Sequence, residues 1–287
     1  MDYYSYLEKI HKLLKPKSYL EIGIRTGTSL ALSGDSTLSI GIDPNPAFDR
    51  DYRKCEQIYS LTSDDFFKRY TLTQELGDTQ LELAFIDGMH LYEFVLRDFI
   101  NVEKYATDST VILLHDIIPR DAESAARDRT TDFWTGDVWR LLFVLLEYRP
   151  DLHISIINTG PSGLAVVTNL DSSNRALLDN YDKIIAEYTD LPFSYYLENT
   201  NRVRSLIKSF DTIEFPNRDF PNFEDYIERV VSFIDKNELG DAVDYYDRYS
   251  SRFNHIPEYK DLMKSMNRLK EKLYSLSSGN SNIKVNR

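Results

Sequence analysis

Over roughly the first 170 positions, apolar residues come in short unbroken runs; after about residue 197 they recur at helical spacing. Runs that read as strands are Ser18–Ile22, Leu38–Ile42, Glu56–Tyr59, Leu81–Ile86, Thr110–Leu114, His153–Ile157 and Leu164–Thr168. Apolar runs of this kind, bounded by turn residues, mark strands covered on both faces, as in a parallel sheet. The first five alternate with helical patterns, which predicts right-handed βαβ crossovers. Only Asn158-Thr159-Gly160-Pro161-Ser162-Gly163 separates the last two, too little chain for a helix, so they are expected to pair antiparallel at one edge. The fold class is therefore α/β: a Rossmann-like, doubly wound, mostly parallel seven-stranded sheet with an antiparallel edge hairpin.

The C-terminal part carries no strand signal. Phe223, Ile227, Val230, Val231 and Ile234, then Leu239, Val243, Tyr246 and Tyr249, fall on helical stripes, and Gly240 and Pro257 punctuate them. The pattern is loosely similar to a tetratricopeptide-type hairpin but has no second copy of the unit. The expected division is a catalytic domain over 1–196, a helical appendage over 197–274, and a polar, Ser/Asn-rich flexible tail over 275–287. An apolar helical stripe must be covered, so the appendage is expected to serve self-association or a partner protein.

A net charge of -12 disfavours nucleic acid or an anionic membrane surface as the main partner. A small or neutral substrate fits better. The single cysteine, Cys55, excludes an intrachain disulfide and any cysteine-based zinc site, and makes a reducing cytoplasm the default compartment. Between Met1 and Lys17 charged and polar residues interrupt every apolar run, and Leu141–Leu146 is far too short to cross a bilayer, so neither a leader nor a membrane span is expected.

Candidate chemistry lies at strand ends. Leu83-Ala84-Phe85-Ile86-Asp87-Gly88-Met89-His90-Leu91-Tyr92 reads as a buried strand followed by a carboxylate, a glycine turn and an imidazole, in the crevice where open α/β sheets bind ligands. The plainer reading is a strand-to-helix turn capped by Asp87. The first strand ends in Glu21-Ile22-Gly23-Ile24-Arg25-Thr26-Gly27-Thr28-Ser29, where glycines allow close backbone approach and Thr28 or Ser29 can cap a following helix. About twenty residues after Gly23, Gly41-Ile42-Asp43-Pro44 places a carboxylate where one accepts both hydroxyls of a ribose. Nicotinamide and adenosylmethionine folds share these two features. Arg25 stands where a dinucleotide turn has its middle glycine, which would crowd a pyrophosphate. Negative charge at Glu21 would repel a pyrophosphate but supports the ammonium and sulfonium of adenosylmethionine.

On these residues, with Phe85-Ile86-Asp87-Gly88, His90, Tyr92, Asp98 and Leu114-His115-Asp116, the chain resembles class I S-adenosylmethionine-dependent methyltransferases, in the broad group related to macrocin-type sugar O-methyltransferases. The resemblance runs from about Lys17 to Thr168, and makes 1–196 a methyltransferase domain. It implies that Glu21, Gly23 and Gly27 line the methionine half of the donor, that Asp43 holds the ribose, that Ser63 and Asp64 meet the adenine, and that Asp87 lies beside the methyl group. Members often carry an acidic or small residue where Met89 stands. Metal dependence varies among relatives; a divalent cation such as magnesium between Asp87 and Asp116 is the corresponding expectation.

Methyl transfer to a hydroxyl requires alignment of the partners and removal of one proton. His90 is the first candidate base and His115 the second, with Asp87 or Asp116 to fix a tautomer; a satisfied histidine at a capped strand end is the plainer reading of His115-Asp116. Trp134-Thr135-Gly136-Asp137-Val138-Trp139, after a charged stretch from Arg120 to Asp132, suggests a lid on which tryptophan stacks a pyranose and Asp137 binds hydroxyls, or else plain core. Relatives near polysaccharide genes tend to show this Gly-Asp-Val-Trp pattern with a Pro-x-Gly-Leu hairpin such as Pro161-Ser162-Gly163-Leu164, which favours a glycan acceptor. Most of the 20 Tyr and 15 Phe residues, Tyr3 and Tyr4 among them, read as helix packing. The expected activity is O-methylation of a sugar or glycan in polysaccharide synthesis. The alternatives are a nicotinamide oxidoreductase and a non-catalytic donor-binding scaffold.

Overall fold

The seven apolar runs form one sheet in the order β3-β2-β1-β4-β5-β7-β6. The strands are β1 (Ser18–Ile22), β2 (Leu38–Ile42), β3 (Glu56–Tyr59), β4 (Leu83–Ile86), β5 (Val111–His115), β6 (His153–Ile157) and β7 (Leu164–Thr168). β1 to β5 pair in parallel, and β7 runs antiparallel to both β5 and β6. This computed structural model describes residues 2–48 and 50–216, and beyond them only 227, 228, 230–232, 234, 242, 243, 246, 263–268 and 270. β4 begins at Leu83, two residues later than expected, because the Leu81 carbonyl accepts from Thr110 Oγ1 at 2.6 Å instead of joining the ladder.

The nine described helices are α1 (Tyr3–Leu14), α2 (Ser63–Arg69), α3 (Leu72–Leu76), α4 (Tyr92–Glu103), α5 (Trp139–Tyr148), α6 (Ala176–Asp179), α7 (Tyr181–Tyr188), α8 (Phe193–Glu198) and α9 (Thr200–Leu206). α1 starts where Asp2 accepts the Ser5 N–H and ends at Lys15, a left-handed residue ahead of Pro16. Strand side chains alternate between two cores. Leu20, Ile22, Ala84, Ile86, Ile112 and Leu114 face the layer of α2 to α5 and α7 to α9, whereas Tyr19, Leu83, Phe85, Val111 and Leu113 face α1.

The alternation of strands and helices is less complete than the sequence suggests. Between β1 and β2 there is no α-helix, only a three-residue 3-10 turn, Leu30–Leu32, and between β2 and β3 the described residues contain none. Arg53 organises the first of these crossovers, donating to the carbonyls of Leu30 and Ser33 and to Ser33 Oγ. Thr28 and Ser29 therefore cap no helix.

The first compact unit is Met1–Pro216, twenty residues longer than the expected domain over 1–196. Tyr196 and Val203 lie in the core, Ile207 bridges Ile156 of β6, and the Lys208 N–H donates to the Ile156 carbonyl, so α8 and α9 belong to the sheet domain and not to an appendage. The second unit is Asn217–Arg287; its described residues are helical, with Val230, Ala242, Val243, Tyr246 and Met263 buried. Val231, expected on the apolar stripe, is 45% exposed. Phe223, Leu239, Gly240, Tyr249, Pro257 and the tail over 275–287 lie outside the described residues. Among the described residues no helix is long and apolar enough to cross a membrane.

Arg149, just past α5, and Glu103, at the end of α4, form an ion pair at 2.5 Å with side-chain exposures of 1% and 5%. Removing one partner of a buried pair leaves an uncompensated charge, which costs about 3 to 5 kcal/mol. Arg149 would keep Asp151 at 2.7 Å if Glu103 were removed, so it is Arg149→Met, which strands the buried Glu103 carboxylate, that is expected to lower the unfolding free energy of the sheet domain by that amount in urea titration. Breaking the exposed Lys12–Glu8 pair serves as the control and should change it little.

Candidate active site

Register brings the chemistry to one edge of the sheet. Ile22 pairs with Ile42 and with Ile86, and Ile86 pairs with Leu114. The residues that follow, Gly23, Asp43, Asp87 and His115-Asp116, therefore emerge side by side at the C-terminal ends of β1, β2, β4 and β5. Gly23 has φ +91°, and a Cβ there would stand 2.1 Å from the Asp87 carbonyl, so only glycine lets these two turns touch.

Two carboxylates and two imidazoles share the centre of this edge. His90 Nδ1 lies 2.6 Å from Asp116 Oδ2; His115 Nδ1 lies 3.1 Å from Asp87 Oδ1 and 3.3 Å from Asp116 Oδ1. Ser162 of the β6–β7 hairpin donates to Asp116 Oδ1 at 2.5 Å, and the Tyr3 ring covers His115 at 4.2 Å between centroids. Burial opposes charge on His115, but Asp87 and Asp116 outweigh it and hold its pKa up at about 9. Burial likewise opposes charge on His90, and the hydrogen bond and charge of Asp116 raise it all the same. Burial pushes the Asp116 carboxyl up, yet the imidazoles and Ser162 bring it below its usual range.

The segment before α5 fixes His90. Asp137 is fully buried, accepts the Tyr92 N–H at 2.8 Å, and so caps α4 from 45 positions away. Its own N–H donates to the His90 carbonyl at 3.2 Å. Gly136, at φ +58°, presses against the same carbonyl; a Cβ would lie 1.7 Å from it. Arg127 and Arg140 neutralise Asp137 at 2.6 and 2.5 Å. Trp134 stacks on the His90 ring, 5.2 Å between centroids at 14°, and donates its indole N–H to the Ala126 carbonyl.

Two cavities meet at Gly23, Arg25, Asp87 and His90. The smaller, of about 390 Å³, is lined by Ile42, Asp43, Pro44, Ser63, Asp64, Met89 and Phe94 as well. Asp43 accepts the backbone N–H groups of Arg25 and Asn45, both at 2.8 Å, which holds its carboxylate at the rim. Arg97 grips Asp64 through two donors, at 2.9 and 2.7 Å. The larger cavity, of about 710 Å³, adds Tyr3, Tyr4, Thr26, Thr28, Ser29, His115, Asp116, Arg129, Asp132, Phe133, Trp134 and Pro161.

Comparison with known families finds a match along this edge. Residues 20–117 match the model of a methyltransferase domain. The matched segment spans β1 to β5 and contains Gly23, Asp43, Asp87, His90, His115 and Asp116. Similar solved structures include the O-methyltransferase TomG from Streptomyces achromogenes, involved in tomaymycin synthesis and solved with SAM. It is 16% identical, with 59% of this chain and 80% of that chain covered and a TM-score of 0.46. The SAH-bound methyltransferase PaMTH1 from Podospora anserina is 15% identical, with 59% and 78% covered and a TM-score of 0.46. The O-methyltransferase from Bacillus cereus, in complex with SAH, is 14% identical, with 59% and 80% covered and a TM-score of 0.42. No curated protein sequence matches the chain.

Along this edge most of the expected residues converge, with four departures. Glu21 lines neither cavity: it is fully buried on the α1 side and accepts from Tyr19 and Ser29. Burial pushes its pKa up to about 8, against the lowering by those two hydroxyls. Gly27 backs onto the Phe48 ring rather than the crevice, since a Cβ there would stand 2.3 Å from that ring. Asp137 is a buried capping carboxylate, not a ligand for hydroxyls, and Trp139 is core. The metal expectation of Asp87 with Asp116 gains His90 as a third group, one ligand atom from each lying within 4.8 Å of the others. Tyr3, Tyr4 and Ser162 were missed, because α1 and the β6–β7 hairpin reach the site only through tertiary packing.

The raised His115 pKa fixes the sign of a pH dependence. Its unfolded value is 6.5 and its folded value about 9, so the stabilisation is full below 6.5 and is lost as pH rises through 9. The shift corresponds to a stabilisation on the order of 3 kcal/mol. In metal-free buffer, the unfolding free energy of wild type minus that of His115→Gln is expected to shrink between pH 6.5 and 9. Chemical denaturation at a series of pH values measures it.

Proposed function

We propose that this protein transfers a methyl group from S-adenosylmethionine to a hydroxyl of a sugar or glycan. The observation that carries the reading is the meeting of two cavities at Asp87 and His90, with a rim carboxylate, Asp43, on the side of the smaller one. Asp43 is suited to accept both ribose hydroxyls, and Ser63, Asp64, Met89 and Phe94 offer a half-apolar slot of adenine size. Bound in this way, S-adenosylmethionine supplies an electrophilic methyl carbon on a sulfonium whose electron pair leaves with neutral sulfur. The larger cavity suits a pyranose. Its aromatic walls, Tyr3, Tyr4, Phe133 and Trp134, alternate with Asp132 and Thr26, apolar faces for the ring and polar groups for its hydroxyls.

His90 is the base in this reading. It takes the acceptor's hydroxyl proton as that oxygen forms its bond to carbon, and Asp116 stabilises the imidazolium. His115, held between Asp87 and Asp116, tunes the charge of the pair. Because the His90 pKa is raised, the neutral form the base needs grows as pH rises, and turnover is expected to increase with pH through a value above 6.5. Asp87, His90 and Asp116 also fit a divalent cation such as magnesium, two carboxylates and an imidazole being a common donor set. A cation held there would acidify the acceptor hydroxyl, and His90 would then act as ligand instead of base. The nicotinamide alternative is disfavoured by Arg25 at the turn, where a pyrophosphate would have to pass.

S-Adenosylhomocysteine is expected to bind at micromolar Kd and NAD not to bind, by calorimetry. Asp43→Ala should weaken the former by about 10- to 100-fold, the loss of charge-assisted hydrogen bonds. An unchanged affinity in that variant contradicts the ribose assignment.

His90→Ala is expected to lower methyl transfer by about 100-fold or more while S-adenosylhomocysteine affinity stays within about twofold. Full turnover in that variant, with loss in His115→Ala, would move the base to His115.

A further inference from the structure

We infer that Arg25 is a donor-reading residue: its guanidinium binds the α-carboxylate at the amino-acid end of the methyl donor. The inference rests on the methyltransferase reading above and assigns a residue that the reading itself leaves without a role.

Arg25 is exposed, lines both cavities, and has φ +45°. A long side chain in the left-handed region is uncommon and costs on the order of 1 kcal/mol relative to glycine, so the surroundings must hold it there. They do: the Arg25 N–H donates to Asp43 Oδ2 at 2.8 Å, and its carbonyl accepts the Ala47 N–H at 2.7 Å. The strained backbone thus ties Arg25 to the rim carboxylate and holds it where the two cavities meet.

Among the described residues the Arg25 guanidinium has no hydrogen bond and no ion pair, unlike Arg129 and Ser29 of the larger cavity. Arg129 donates to the carbonyls of Thr131 and Asp132. The Ser29 hydroxyl is given to Glu21, and the Thr26 and Thr28 hydroxyls are 2.9 Å apart and share one bond. A donor laid with its ribose on Asp43 and its sulfur near Asp87 carries an α-amino acid beyond the sulfur. Its carboxylate needs a cation, and Arg25, at the junction of the two cavities, is an unengaged one. Guanidinium and carboxylate form paired, charge-assisted hydrogen bonds. An anionic substituent on the acceptor is the other use such a guanidinium could have.

The test is calorimetry with S-adenosylmethionine and its decarboxylated analogue, which keeps the nucleoside, sulfonium and amine, on wild type, Arg25→Gln and Arg25→Gly. Glycine suits the left-handed backbone, so the second variant keeps the turn. The inference expects wild type to prefer S-adenosylmethionine by about 10- to 100-fold and both variants to lose that preference, with affinity for the analogue unchanged. A preference that survives in both variants overturns it and leaves the methyltransferase reading standing. Equal weakening of both ligands also overturns it, because Arg25 would then shape the turn rather than read the carboxylate. No binding of either ligand to wild type overturns the inference and the methyltransferase reading together.

Discussion

Two carboxylates and two imidazoles are forced into one half-buried volume by strand register, and the rest of the site is organised around keeping that volume near neutral. Asp87 follows β4 and His115-Asp116 ends β5; pairing of Ile86 with Leu114 makes them neighbours before any ligand is present. Unpaired, each carboxylate would face a desolvation penalty of several kcal/mol. Each instead has an imidazole within 3.1 Å, and both imidazoles are held above their ordinary pKa against the effect of burial. A protonated imidazole is not a base, so a reaction that needs neutral His90 gains from higher pH.

The supporting residues are positioned to keep His90 in that volume. Gly136 and Asp137 grip its backbone, Asp137 caps α4, two arginines neutralise Asp137, and Trp134 covers the ring. The segment 120–137 therefore serves the site through its backbone and buried charges, while only Arg129, Asp132, Phe133 and Trp134 of it face the larger cavity. Left-handed backbone at two non-glycine residues, Arg25 and Asp116, falls in the site itself, where local strain accompanies function most often.

Much of this was legible in the sequence. Apolar runs with turn residues gave all seven strands, and a carboxylate, glycine or imidazole just past four of them gave the site edge. What the sequence did not reveal has particular physical reasons. Glu21 alternates with Leu20 and Ile22, so strand parity sends it to the same face as Tyr19, where the Tyr19 and Ser29 hydroxyls donate to its two oxygens; a motif reading ignores those partners. Asp137 and Trp139 sit in a pattern rich in functional residue types, yet the pattern is built to clamp a backbone 45 positions earlier. The crossover after β1 follows a glycine turn with capping residues, yet it is held by Arg53 on the Leu30 and Ser33 carbonyls instead of by an α-helix. Tyr3, Tyr4 and Ser162 arrive from elements distant in sequence; no local signal marks the tyrosines, and the Pro161–Leu164 hairpin pattern gave no sign that Ser162 would donate to Asp116. Asp64, read as an adenine contact, lines the smaller cavity as expected, though the sequence gave no sign that Arg97 would hold it.

The central claim is that the β1–β5 edge holds a methyl donor with its sulfur at the junction of the two cavities. A crystal structure of the protein with S-adenosylhomocysteine tests it most directly. The account predicts the ribose hydroxyls on Asp43, the adenine between Ser63 and Phe94, and the sulfur beside Asp87 and His90. A nucleoside bound away from Asp43, or a sulfur facing away from His90, would contradict it.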